Sequence, residues 1–334
     1  GHPHFVEALK SQLDKISFYS NSVQNSLQEK LADKLGKLSG YPDHQLFLCS
    51  SGAEANENAL KLASFVTERK KVIAFKKAFH GRTSGAVAAT DNPKIVSPFN
   101  SGHDIVFLPF NDEKTFTEKI DNSVAAVIIE GIQGVGGIQL PSTSFLQLLA
   151  KKTKEVGALL ILDEVQSGYG RSGKFFAHQH AGIQADIITT AKGMGNGFPV
   201  GGVLIHPSIK PWSGMLGTTF GGSYLACAAS LAVLEVIEKE NLMANAERLG
   251  NYWMQQLKSF APVKEVRGQG LMIGFDLPEQ FASLRKDLLF NHHIFTGEAK
   301  PNTVRLLPSL AMKQDEADLL LEAMTLEFKQ TAEA

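Results

Sequence analysis

Apolar residues along the chain fall into two alternating patterns. Short unbroken runs, Val72–Phe75, Ile105–Leu108, Val124–Ile129 and Leu159–Leu162, show no polar alternation. Strands buried on both faces read this way. Leu46–Cys49, Asp186–Thr190 and Gly201–Ile205 are predicted as further strands. Between the strands lie stretches with helical spacing: Phe5–Leu13, Ser26–Leu38, a long pattern from Ala55, Ser144–Val156 and Ser223–Lys239. Leu27, Leu31, Leu35 and Leu38 share one face, and so do Ala55, Ala59, Leu62 and Val66. Strands alternating with helices predict an α/β unit built on a parallel sheet.

From Asn241 the alternation changes. Two helical stretches flank the run Gly270–Asp276, and Thr303–Leu307 reads as a strand ahead of a helix from Gln314 to Lys329. A smaller α+β unit follows from that order. Arg305 falls inside its last strand, either as a buried functional group or on an outward face. The opening stretch Gly1–Phe5 reads as the middle of a loop.

Composition narrows the function class. The chain has 334 residues, 43% hydrophobic and 20% charged, which is ordinary globular usage with ample length for a core. Its net charge of -1 gives no sign of a nucleic-acid or membrane-surface partner. No apolar run approaches the roughly 18 residues that span a bilayer, and no signal peptide is legible. Cys49 and Cys227 make no disulfide framework, which fits a reducing cytoplasm. The histidines form no metal-ligand array: His178 with His180, and the pair His292–His293, lack a completing carboxylate or cysteine set.

Candidate chemistry gathers where strands end. Leu159–Leu162 stops at Asp163, and the run ending at Thr190 leads into Ala191-Lys192-Gly193. Open α/β sheets bind ligands beyond the carboxyl ends of their strands. An anion there can hold a ring nitrogen protonated, and a primary amine can condense with an aldehyde. Together they point to pyridoxal-phosphate (PLP) chemistry. The ordinary reading is a capping aspartate and a solvated lysine.

Ser50–Ala55 opens a helix, and its small residues and free first-turn amides suit an anion, although a simple cap explains them equally. Phe79 could cover a flat ring and Arg82 could grip a carboxylate, but such residues are more often core and surface. The turn Gly131–Gly137 lacks the order of a dinucleotide loop. Gly168–Lys174 matches G-x-x-x-x-G-K, but Phe175 follows where a hydroxyl is required, which excludes a nucleoside-triphosphate loop. Thr218 and Thr219, ahead of a helix, suit a phosphate, a substrate or a cap.

Taken in order, Ser51–Glu57, Phe79–Thr83, Leu162–Gln166 with Gly168–Arg171, Ala191–Gly193, Thr218–Gly222 and Val304–Pro308 resemble one family. The chain is similar to the class III (fold type I) PLP-dependent aminotransferases, in the acetylornithine/succinylornithine branch. That resemblance implies a large PLP-binding domain with a mostly parallel seven-stranded sheet flanked by helices. It also implies a smaller α+β C-terminal domain. The divisions expected are an N-terminal segment 1–30, a large domain 31–240 and a small domain 241–334.

By the same resemblance, Lys192 would carry the cofactor and then move a proton, and Asp163 would keep the pyridine nitrogen protonated. Gln166 would bond the ring hydroxyl side and Phe79 would stack on the ring. Ser51, Gly52 and Ala53 would hold the phosphate, joined by Thr219 from the other subunit of a homodimer. Thr218 would lie near the substrate, Arg82 would bind a carboxylate of the acylated ornithine, and Arg305 the α-carboxylate of glutamate. No metal is expected.

The implied reaction is transamination of N-acetylornithine or N-succinylornithine with 2-oxoglutarate, in arginine biosynthesis. Ornithine, 4-aminobutyrate or another ω-amine is the neighbouring alternative, and a non-catalytic scaffold the distant one. Two departures stand out. Val135 occupies the place of a glutamate that in relatives pairs with the arginine matched by Arg305. Relatives also carry a further stretch ahead of the region matched by Gly1–Pro3.

Overall fold

In the computed structural model, which describes residues 1–333, the predicted strands β1 (Gln45–Cys49), β2 (Lys71–Phe75), β3 (Ile105–Leu108), β4 (Val124–Glu130), β5 (Leu159–Asp163), β6 (Ile187–Thr190) and β7 (Gly201–Ile205) form one seven-stranded sheet. Their order is β1-β7-β6-β5-β4-β2-β3. All pairings from β3 through β6 are parallel; β7 runs against both of its neighbours, so β1 again points the same way as β6. Every residue of β4 is buried, which accounts for a run without polar alternation.

Helices cover both faces. They are α1 (Pro3–Leu13), α2 (Ser26–Ser39), α3 (Gly52–Thr67), the short α4 (Ser84–Ala88), α5 (Glu113–Lys119), α6 (Thr143–Val156) and α7 (Tyr224–Lys239). On one face Val127, Ile129, Leu160 and Leu162 meet Phe145 and Leu149 of α6. On the other, Ala126, Ile128, Ile161 and Ile187 meet Ala55, Ala59 and Leu62 of α3. Alternate strand residues therefore feed two separate cores, as the pleat requires. The opening residues depart from the expected loop: Pro3 occupies the first turn of α1, where its fixed φ and missing N–H suit a helix start.

The C-terminal unit has helices α8 (Leu242–Leu257), α9 (Leu284–His292) and α10 (Gln314–Glu333) around strands β8 (Val266–Gln269), β9 (Met272–Asp276), β10 (Gly297–Ala299) and β11 (Thr303–Leu306). These strands pair antiparallel in the order β10-β11-β9-β8. Ile273, Phe275, Val304 and Leu306 pack on Leu249 and Trp253 of α8 and on Leu320 and Met324 of α10. β8 and β10 escape the sequence pattern because neither contains a fully buried residue.

Candidate active site

The parallel strands deliver their following loops to one edge of the large sheet. A cavity of about 420 Å³ lies there, lined by Ser51, Gly52 and Ala53 after β1, Phe79 and Arg82 after β2, Glu130 and Val135 at the end of β4, Asp163 and Gln166 at the end of β5, and Lys192 after β6. Residues far apart in sequence thus meet because their strands point the same way. Arg305 reaches the cavity's neighbouring turn, where its Nη1 donates to the Gly134 carbonyl at 2.9 Å. Thr218 and Thr219 stand elsewhere in the chain, in the turn before α7. Thr218 lines a separate concavity with Asn21 and Gln28 and accepts from the Gly221 N–H at 3.1 Å.

Helix α3 opens directly into the cavity. Ser51 caps it, its hydroxyl accepting from the Glu54 N–H at 3.2 Å, while Glu54 returns a bond to the Ser50 N–H at 2.9 Å. The Ala55 N–H bonds the Ser51 carbonyl. The first-turn N–H groups of Gly52 and Ala53 are left without an intrahelical acceptor, at the positive end of the helix dipole. Such an end holds a phosphate readily.

Asp163 is 4% exposed. Its Oδ2 accepts from His80 Nδ1 and from Asn56 Nδ2, each at 2.7 Å, and its Oδ1 accepts from the Val165 N–H at 3.0 Å. Asn56 is itself fixed: its second N–H reaches the His80 carbonyl at 2.7 Å, and its Oδ1 accepts from Thr189 at 2.6 Å. Glu130 is buried as well, its oxygens accepting from the Phe79 N–H at 3.0 Å and the Gly134 N–H at 3.1 Å. Burial pushes the Glu130 carboxyl up to about 7; Asp163 adds to the rise, while His80 and the two N–H donors oppose it.

Lys192 is exposed toward the cavities it lines, yet desolvation by the surrounding protein lowers its amine pKa. Asp163 and Glu130 pull the other way, and Arg305 reinforces the lowering. Its backbone sits in the left-handed region, with φ of 45°, where a side chain is disfavoured. Gln166 passes so close to the Gly131–Gly137 turn that a Cβ on Gly134 would lie 1.3 Å from its Oε1 and would force the amide to swing away. Arg82 stands exposed at the rim, without an ion-pair partner among the described residues. The loop carrying it is held by Glu57 of α3, which accepts from Thr83 Oγ1 at 2.7 Å and from the Gly85 and Ala86 N–H groups at 2.8 and 2.9 Å.

These residues fit pyridoxal phosphate. The cavity combines an amine, a buried carboxylate, an aromatic wall and acceptor-free amides, and it has room for a small cofactor. The buried Gln166 Oε1, His80 Nε2 and Arg305 Nε have no hydrogen-bond partner, which marks a polar site built for a further group. Asn56, His80, Glu130 and Glu57 were not foreseen as site residues. Glu130 had a visible signal, since a wholly apolar strand ends on it. Asn56 had a weaker one, as a polar interruption beside Ala55 and Ala59 on the buried face of a helix.

The chain matches the class III aminotransferase family over residues 1–327. It is 40% identical over 324 residues to the acetylornithine aminotransferase of Archaeoglobus fulgidus, covering 96% of this chain and 85% of that one. With the acetylornithine aminotransferase of Bacillus subtilis it shares 42% over 327 residues, 95% and 84% of the two chains. Among solved structures, the ornithine aminotransferase of Toxoplasma gondii, crystallized with partial PLP occupancy at its active site, superposes with a TM-score of 0.90. Its identity is 27%, and the match covers 99% of this chain and 82% of that one. Sequence, sheet order and cavity thus agree: the chain belongs to the class III aminotransferases and is a PLP-dependent transaminase of fold type I.

Proposed function

We propose that this enzyme moves the terminal amino group of an N-acylated ornithine, N-acetylornithine or N-succinylornithine, to 2-oxoglutarate in arginine biosynthesis. One observation carries the choice of substrates: Arg82 stands exposed at the rim of the cavity, while Arg305 lies half-buried behind its lining, against Gly134 in the bordering turn. An ω-amine donor and an α-amino acid product place their carboxylates at different distances from the amine. Arginines at two depths suit that alternation. Free ornithine is less suited, because its α-amine needs an anion. The carboxylates lining the cavity, Glu130 and Asp163, are engaged by backbone, Asn56 and His80 donors. The acetylornithine relative is also more identical to this chain, at 40% against 27% for the ornithine enzyme.

Bound at Lys192, pyridoxal phosphate supplies an aldehyde that takes amino groups and a ring that spreads the charge left when a carbon loses its proton. The roles we assign to the chain follow from their placement. Lys192 carries the proton to and from the substrate carbon, which its lowered pKa favours by keeping more of the amine neutral. Asp163, fixed by Asn56, His80 and the Val165 N–H, holds the proton of the ring nitrogen. Gly52 and Ala53 would donate to the phosphate beside Ser51, Phe79 would cover one ring face, and Gln166 would bond the ring oxygen.

We assign the enzyme to a homodimer in which the turn bearing Thr218 and Thr219 faces the partner's cavity. Support comes from the exposed Tyr19 and Phe220 around that turn and the Phe18–Phe220 ring contact at 5.0 Å. The small domain begins after residue 240 in this reading, in keeping with its separate apolar core. No described helix is long and apolar enough to cross a membrane. A cytoplasmic setting suits the two free, buried cysteines.

The test is the near-visible absorption of the cofactor-loaded enzyme. N-acetylornithine or N-succinylornithine added alone should abolish the cofactor's band, and 2-oxoglutarate should restore it. A band left unchanged by both acylornithines would overturn the substrate assignment.

A further inference from the structure

Glu130 is the one buried carboxylate at the cavity that the mechanism above leaves without a task. Its two oxygens bind backbone of two different loops. Oε1 takes the N–H of Phe79, in the loop after β2, and Oε2 takes the N–H of Gly134, in the turn after β4. The same Gly134 offers its carbonyl to Arg305 Nη1. One unbroken path therefore runs from the aromatic wall through a single side chain to the guanidinium. Val135 presents an apolar side chain to the cavity, and the other charged group against that turn, Arg267, donates its Nε to the Gly137 carbonyl at 2.8 Å, three residues beyond Gly134.

We propose that Glu130 is a positioning residue: its carboxylate ties the Phe79 loop to the Gly134 turn and so holds Arg305 in place for the carboxylate of the amino-group acceptor. This rests on the assignment of Arg305 to that carboxylate. Both backbone donors need an acceptor with negative character on each oxygen. A protonated carboxyl, or an amide, satisfies one donor well and the other poorly. The tie is therefore firm when Glu130 is ionised and slack when it is not. Burial has moved that change to about pH 7. The charged or titrating groups facing Glu130 are His80, Asp163, Lys192 and Arg305.

The sign of the effect separates positioning from plain stability. The folded pKa, about 7, lies above the ordinary value of 4.5. Glu130 therefore favours the folded state most below pH 4.5, and that contribution is lost as pH rises through about 7. Acceptor binding should change in the opposite direction, improving over the same interval.

The experiment measures the dissociation constant of glutarate, a dicarboxylate with neither amine nor ketone, by calorimetry on the cofactor-loaded enzyme from pH 5.5 to 8.5. Glutarate binding to the native protein should tighten as pH rises through about 7. E130Q should bind roughly tenfold more weakly at pH 8 and lose that step, the size expected when one hydrogen bond to a charged group goes. Its unfolding temperature relative to the native protein should rise with pH. R305A, run in parallel, should weaken binding at every pH. If R305A binds glutarate as the native enzyme does, the assignment of Arg305 falls and takes the proposal with it. If R305A is weak but E130Q keeps native affinity and its step, Glu130 does not position Arg305. If E130Q fails to fold, E130D, which keeps the charge on a shorter arm, serves instead: it should retain the pH step with weaker binding, and loss of the step would refute the tie.

Discussion

At the scale of single residues, the site works by denying water to charges and then fixing their partners. Asp163 is the clearest case, since three donors hold its two oxygens in one orientation. Lys192 is governed by burial against its neighbours, and burial prevails, so its amine loses its proton below the ordinary value of 10.5. Only the neutral amine attacks an aldehyde. Uptake of pyridoxal phosphate by the apoenzyme should therefore accelerate as pH rises and level off below pH 10.5. Stopped-flow absorbance follows this directly, and a rate still climbing at 10.5 would show an unshifted amine. The positions of Lys192 and Asp163 were legible because strand ends announce themselves in sequence. The donors Asn56 and His80, and Thr189 that fixes Asn56, were not, because they come from three elements and a single sequence carries no record of which side chains touch.

At the scale of elements, small helix starts organise the loops. The free end of α3 addresses the cavity, while one turn later Glu57 caps the start of α4 and so anchors Thr83 and the neighbouring Arg82. Glu57→Ala removes an acceptor from three donors. We expect a loss of about 1–3 kcal/mol in unfolding free energy, measured in urea. The KM for the acylornithine should also rise, while the glutamate half reaction keeps its rate. An unchanged KM would mean that Arg82 holds its place without this anchor. The large-sheet strands and the helices around them could be read to within a few residues, while the last helix runs four residues past the Lys329 expected for its end. β8 and β10 could not, since Val266–Gln269 and Gly297–Ala299 offer half-buried and polar residues without alternation.

At the scale of the whole molecule, sheet direction explains why one edge collects the chemistry: the parallel strands open their loops on the same side, and the reversed β7 contributes none. That much follows from sequence once the α/β alternation is seen. In the sequence, the proposed meeting of one protomer with another rests on the family resemblance alone, because the Thr218–Phe220 turn by its own residues looks like any exposed loop. Phe220→Asp places a charge in the proposed dimer contact. Sedimentation should shift from dimer to monomer, and the cofactor should be retained less well, since Thr219 belongs to the same turn. A variant that remains dimeric and retains its cofactor would place the contact elsewhere.

The left-handed backbone at Lys192 has one more consequence. A lysine there is disfavoured by roughly 1–2 kcal/mol relative to a residue free of a Cβ. Glycine at this position would give a sturdier, inert protein. The backbone strain and the cofactor's attachment therefore sit on the same residue, so removing the one removes the other.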